Sequence, residues 1–278
     1  MKKIPPAEFY DLSERILNSG DAYWGNLGYW QQGSDYSCAC ESLARVLASA
    51  VELNADSRVL DVGFGCGDQL LLWLQDYHLQ FLCGINYSIS QTELAQQRLR
   101  QSGNLTVAGN IHQGDISDLS NHALPKDASI NTILALDCAY HFSSRQKFFR
   151  DSYHLLQEKL NGRIGLTDIV LARNHLSRGK RLLLNVMLRL SRIPQHNIVS
   201  LEEYKNQLQQ AGFSLCDSQD ISEYVFEPFG NWLSSSQERL KRIRRNRSAW
   251  LKYKLTATFL TWAYRAKVLR YIVITAKV

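Results

Sequence analysis

From Tyr36 to about residue 170, stretches with apolar residues at helical spacing alternate with short, nearly continuous apolar runs. Tyr36 to Leu53 carries Leu43, Val46, Leu47 and Ala50 at a helical period, which predicts an amphipathic helix with these residues inward. Arg58–Val62 is a short apolar run and reads as the first strand, and Phe81–Asn86 reads as a second, buried one. Tyr87-Ser88-Ile89-Ser90-Gln91 then opens a helix carrying Leu94, Ala95, Arg98 and Leu99. Ala128–Asp137 and Gly162–Ile169 are the fourth and fifth strands, the latter entered through a tight Asn161-Gly162 turn. Strands and helices in this order predict βαβ units and a parallel sheet.

Beyond residue 170 the pattern changes. Residues 171–199 form an insertion with Arg173, Arg178, Lys180, Arg181, Arg189 and Arg192, many leucines between them and no acidic residue, which predicts a basic, very apolar helix. Leu201–Gly212 is a further helix and Phe213–Cys216 a sixth strand. Helical segments fill 229–267, and Arg270–Lys277 closes the chain as a seventh strand.

The chemistry concentrates where the first strand ends, in Asp61-Val62-Gly63-Phe64-Gly65-Cys66-Gly67. Glycine at every second position lets the backbone bend sharply and approach a ligand closely. Asp61 ahead of the loop can hold a cationic group or fix the loop's amides. A dinucleotide fingerprint needs G-x-G-x-x-G and an acidic residue about 20 residues on. Here the third glycine comes one position early. Asp68 at the helix start also fits poorly with a pyrophosphate, which uses the free amides and positive end of that helix. A cofactor without phosphates fits better.

This loop resembles motif I of class I S-adenosylmethionine-dependent methyltransferases, D/E-x-G-x-G-x-G. Gly84-Ile85-Asn86-Tyr87-Ser88 and Gln91 are similar to the G-[IV]-[TN]-x-S-x-x-Q pattern of their sterol, tocopherol, rebeccamycin-type and cyclopropane-fatty-acid branch. His112-Gln113-Gly114-Asp115-Ile116 resembles the family's G-D-A/I step. The resemblance covers roughly residues 20–175 and implies a doubly wound, mostly parallel α/β sheet of seven strands, the last antiparallel, with a helical lid at 171–199. It also implies S-adenosyl-L-methionine as cofactor. Asp61, Gly63, Gly65 and Gly67 would wrap its methionine part, and Asn86, Tyr87 and Gln91 would serve the ribose region. Amides can satisfy ribose hydroxyls without a buried charge. Asp115 would accept from the adenine amine, Ile116 would face the ring, and Leu136 would end the fourth strand beneath the methyl. Residues 1–33 would fold over the cofactor, with Tyr29 as a contact. His141 matches a histidine proposed as base in the rebeccamycin-type enzymes and Asp168 their carboxylate, so this pair is expected to act together as acid–base machinery.

Composition narrows the class. The chain has 278 residues, enough for one large domain or two small ones, and 45% of them are apolar, as in a folded protein; the resemblance implies one methyltransferase domain over 1–278. No apolar run reaches the ~18–20 residues of a membrane span, and Met1–Pro6 lacks a signal-peptide core. Scattered cysteines (Cys38, Cys40, Cys66, Cys83, Cys138 and Cys216) suit a reducing cytoplasm, and no metal is expected. Net charge is +6, concentrated in 238–254 (Arg239, Lys241, Arg242, Arg244, Arg245, Arg247, Lys252 and Lys254 against Glu238). That segment reads as a solvated helix face, as an anionic-membrane surface or, less readily, as a nucleic-acid surface. The acid-free lid favours a hydrophobic or acidic small-molecule acceptor, methylated on O or C, with peripheral membrane association. The alternative is an RNA- or protein-directed enzyme, or an inactive cofactor-binding module. An adenine- or glutamine-methylating Asn-Pro-Pro-Tyr motif is replaced by Leu136-Asp137-Cys138-Ala139, which argues against those acceptors.

Overall fold

Arg58–Val62 (β1), Phe81–Asn86 (β2), Ile111–Gln113 (β3), Thr132–Leu136 (β4), Arg163–Leu171 (β5), Ser214–Asp220 (β6) and Leu269–Lys277 (β7) form one sheet in the order β3-β2-β1-β4-β5-β7-β6. The first five strands run parallel, and β7 runs antiparallel to both β5 and β6. This is the expected doubly wound sheet with an antiparallel last strand. The computed structural model describes residues 17–31, 35–79, 81–116, 119, 122, 124–125, 129–235 and 247–278. Expectations on 1–16, 32–34 and 236–246, including those on Arg239, Lys241, Arg242, Arg244 and Arg245, lie outside the described residues.

Nine helices among the described residues flank the sheet: Tyr36–Ala50 (α1), Asp68–Asp76 (α2), Ile89–Gln101 (α3), Leu105–Asn110 (α4), Arg145–Leu156 (α5), Arg178–Leu190 (α6), Leu201–Ala211 (α7), Ser222–Ser235 (α8) and Arg247–Arg265 (α9). Several begin at side-chain caps that take up an orphan amide. Asp35 accepts from Cys38 N, Ser88 from Gln91 N, Ser144 from Lys147 N and Ser200 from Glu203 N. One apolar layer gathers Leu43, Leu47, Trp73, Phe226 and Tyr271; the other gathers Leu60, Ile133, Phe148, Phe149 and Tyr204. On α1 the buried stripe is Cys40, Leu43, Ala44, Leu47 and Ala48, whereas Val46 is half-buried and Ala50 exposed. The inward face is thus set by i, i+3, i+4 spacing from Cys40, and Ala50 does not belong to it.

The strand order places the site. β1 lies between β2 and β4, so the chain leaves β1 in one direction and later returns on its other side. Ligands of such sheets bind beyond the carboxyl ends of the strands at that crevice. The glycine loop, Asn86 and Asp137 all lie there. One boundary matters more than the rest: β5 continues to Leu171, so Asp168 lies inside the strand, opposite Ile272 of β7.

Candidate active site

The loop after β1 needs its glycines for different reasons. Gly63, Gly65 and Gly67 all have positive φ (72°, 57° and 90°), a region that costs other residues. A Cβ on Gly63 would stand 2.7 Å from Cys138 Sγ, and one on Gly67 would stand 2.9 Å from Ala95 Cβ in α3. A Cβ on Gly65 would meet nothing within 4 Å. Gly65 therefore opens onto ligand space, whereas Gly67 lets α2 pack against α3. Gly67 does not line the cavity beyond the loop.

Asp61 also lies outside that lining. Its carboxylate is fully buried and accepts from Gln69 Nε2 (2.8 and 2.9 Å) and Trp73 Nε1 (2.6 Å), so it pins α2 to β1. Burial raises its pKa to about 7 against the hydrogen bonds that favour the charge.

A cavity of about 700 Å³ lies against the loop, and Gly63, Gly65, Asn86, Tyr87, Gln91, Asp115, Ile116, Leu136 and His141 all line it. Asn86 links its walls: its Oδ1 accepts from Gly65 N (3.3 Å), and its Nδ2 reaches Gln91 Oε1 (3.4 Å). Gln91 is held in the first turn of α3 by the Ser88 cap. Arg98, a member of the α3 pattern without an assigned role, clamps the loop from behind. It donates to both oxygens of Asp68 (2.7 and 2.8 Å) and to Cys66 O (2.8 Å). Asp68 is thus neutralised by a cation and also accepts from Tyr23 N (3.1 Å), which fastens the N-terminal strap to the loop.

That strap covers the cavity with Tyr23, Trp24, Gly25 and Asn26. Tyr29 is elsewhere: its ring packs 4.6 Å from that of Tyr224, and its N–H donates to Ala39 O. Gly28, at φ 75°, turns the chain between these two stretches, so the Tyr23–Asn26 segment lines the cavity and Tyr29 does not.

Asp168 is placed away from both cavities. Its side chain is fully buried and accepts from Arg145 Nη1 (3.1 Å), Tyr204 OH (2.8 Å) and Ile169 N (2.7 Å). It lines neither cavity, and the expected pairing with His141 is absent from its hydrogen bonds. Side chains alternate along a strand. Thr167 faces the site, so its neighbour Asp168 faces α5 and α7.

The carboxylate at the site is instead Asp137, just past β4 and at φ 53°. Its Oδ1 accepts from Tyr271 OH (2.6 Å) and Tyr140 OH (2.9 Å), and its Oδ2 accepts from Leu27 N of the strap (2.8 Å). Its own N–H donates to Thr167 Oγ1 (2.8 Å). Burial raises its pKa to about 7, while the two tyrosines and Leu27 N favour the ionised form. Its position at the end of the fourth strand was readable from sequence, but its partners come from distant segments.

A second cavity of about 430 Å³ lies between α6, α9 and the strap, walled by Met187, Leu188, Leu251, Leu255, Phe259, Leu260 and other apolar residues. Gly25, Asn26, Asp137, Tyr140 and His141 line both cavities. His141 is half-buried and its pKa falls to about 3, chiefly by loss of water around the ring and further by the Lys252 charge, although a hydrogen bond to the Arg192 backbone opposes this. The imidazole is therefore neutral at physiological pH.

A phosphate-free nucleoside fits the larger cavity: open space over Gly65, amides at Asn86 and Gln91, and a carboxylate at Asp115. The model of the mycolic acid cyclopropane synthetase family matches residues 9–269. The chain belongs to that family. It is a class I S-adenosylmethionine-dependent methyltransferase of small molecules, and S-adenosylmethionine is its cofactor. This cyclopropane-synthetase-family chain is 29% identical to erythromycin 3''-O-methyltransferase of Saccharopolyspora erythraea, over 77% of the chain and 69% of the relative. It is 27% identical to 27-O-demethylrifamycin SV methyltransferase of Amycolatopsis mediterranei, over 81% and 80%. Geranyl diphosphate C-methyltransferase from Streptomyces coelicolor A3(2), solved with Mg2+, geranyl diphosphate and S-adenosyl-L-homocysteine, shares the fold at a TM-score of 0.68 and 15% identity, covering 98% of this chain and 99% of that one.

Proposed function

We propose that this enzyme methylates an oxygen or carbon of a hydrophobic or amphiphilic small molecule: a lipid, terpenoid, quinone or other secondary metabolite. The carrying observation is the shared wall. An apolar chamber meets the cofactor cavity at Asp137, Tyr140 and His141. When bound, the cofactor supplies a methyl group on a sulfonium, activated for in-line displacement. The residues of the chain contribute position, since holding two partners in line replaces much of the entropic barrier. Gly63 and Gly65 admit the amino-acid part, Asn86 and Gln91 meet the ribose, and Asp115 and Ile116 hold the base. Asp137 places its carboxyl group at the junction, where a positive sulfonium would favour its ionised form. His141, half-buried and neutral, takes at its ring nitrogen the proton that an acceptor hydroxyl sheds as its oxygen is methylated, when even a weakly basic nitrogen suffices. The leucines of α6 and α9 exclude water from the junction, and α6 acts as a lid.

An oxygen acceptor gains support from the two relatives, both O-methyltransferases by name. The test is incubation with methyl-labelled S-adenosylmethionine and total metabolite, lipid, RNA and protein fractions from the source cell. Label in an organic-soluble small molecule is the expected outcome. Label confined to RNA or protein would overturn the reading, as would the absence of any labelled product.

A further inference from the structure

The outer faces of α6 and α9 are built unlike the rest of the surface. On α6, Leu184 and Leu188 point inward, which leaves Leu182 (68% exposed), Leu183, Val186 and Leu190 (61%) facing solvent. At 3.6 residues per turn these four fall on one stripe. Arg178, Arg181 and Arg189, all exposed, run along its flank. On α9, Leu251 and Leu255 are exposed one turn apart, with Lys254 exposed between them. Neither helix contains an acidic residue. Large apolar side chains in water beside exposed cations are costly for an isolated protein and mark an interaction surface.

We propose that α6 and α9 together dock the enzyme on an anionic lipid surface, with the exposed leucines entering the headgroup boundary and the arginines and lysines meeting lipid phosphates. The patch continues into the second cavity, because Leu190, Leu251 and Leu255 belong both to the exposed face and to the chamber wall. An apolar acceptor can thus pass from the bilayer to His141 without crossing water. This extends the proposed function, on which it rests for the acceptor's chemistry. No helix among the described residues is long and apolar enough to cross a membrane, so the contact is peripheral. Charge decides the partner: an acid-free pair of helices favours phosphate-bearing lipid over a neutral protein face.

The test is co-sedimentation of the full chain with phosphatidylcholine vesicles, with and without phosphatidylglycerol. The protein should pellet with the anionic vesicles only and progressively less as salt rises. The double variant Leu182→Glu/Val186→Glu, whose residues line neither cavity, should bind these vesicles at least ~10-fold more weakly and keep wild-type affinity for S-adenosylmethionine by calorimetry. Wild-type pelleting of that variant would overturn the docking surface, as would absence of binding to anionic vesicles. Retention of RNA in place of vesicles, or a dimer in sedimentation dispersed by Leu182→Glu, would assign the face to another partner and also overturn it. Turnover on detergent-dispersed acceptor is read separately, so a failed docking surface and a failed acceptor assignment give different results.

Discussion

Gly63→Ala and Gly65→Ala place the same methyl group two residues apart, and the structure predicts opposite consequences. Both positions have positive φ (72° and 57°), so each alanine incurs roughly 1–2 kcal/mol of backbone strain. At Gly63 the new Cβ also lies 2.7 Å from Cys138 Sγ and 2.8 Å from Cys138 Cβ. Overpacking of this kind costs about 1–3 kcal/mol more, for a total of roughly 2–5 kcal/mol of folding stability. At Gly65 the Cβ meets no protein atom within 4 Å, so stability falls by the strain alone. The methyl there intrudes on ligand space, and about 1–3 kcal/mol of lost complementarity corresponds to roughly 5- to 150-fold weaker cofactor binding. Urea unfolding of the ligand-free proteins reads the first quantity, and calorimetric titration with S-adenosylmethionine reads the second. Adding Cys138→Gly should restore much of the stability of Gly63→Ala and none of the affinity of Gly65→Ala, a coupling expected only between touching groups. Equal losses of stability in the two alanine variants, or wild-type affinity in Gly65→Ala, would refute the division of labour within the loop.

His141→Ala should lower turnover by about 10²-fold or more with cofactor affinity near wild type; a matching loss of cofactor binding in calorimetry would make the histidine structural. Asp137→Asn should weaken S-adenosylmethionine by ~10-fold or more through lost charge attraction, yet leave S-adenosylhomocysteine, neutral at sulfur, nearly unaffected. Competition binding measures the ratio, and an equal loss for both ligands would reduce Asp137 to an anchor of the strap. Asp61 has its folded pKa raised from 3.8 to about 7, so its contribution to stability is full below about pH 4 and lost as pH rises through about 7. The ligand-free wild type should therefore lose about 2–3 kcal/mol more than Asp61→Asn between about pH 5 and about pH 8 in urea titrations, and parallel profiles would exclude this. Arg145→Ala removes the cation from a fully buried pair with Asp168, so unfolding should be easier by roughly 3–5 kcal/mol; a change confined to the pH profile of turnover would return Asp168 to the chemistry.

The local parts of the site were legible because local sequence builds them. Gly63, Gly65, Asn86 and Gln91 lie within single turns at strand ends, and their spacing is itself the geometry. Asp168 was misplaced for a reason that sequence hides. Ending β5 at Ile169 puts the aspartate at a strand end, but pairing with β7 carries the strand to Leu171 and buries Asp168 on the far face. Its neighbour Thr167 is the residue that reaches Asp137. Asp137 gained its importance from Tyr271, more than a hundred positions away in sequence, and from Leu27 in the strap. No window of sequence contains that cluster. Tyr29 shows the same on a smaller scale: one glycine turn at Gly28 decides which aromatic residue of an aromatic-rich segment lines the cavity.

The strap from Tyr23 to Leu27 walls the cofactor cavity with its first residues and the apolar chamber with its last, and is bonded to Asp68 at one end and Asp137 at the other. Gly25 and Asn26 belong to both spaces, so a displacement that frees one exchange path disturbs the other. If the segment must part from both aspartates before ligands exchange, the two exchange paths are coupled, and the lifetimes of two backbone hydrogen bonds bear on how often they open.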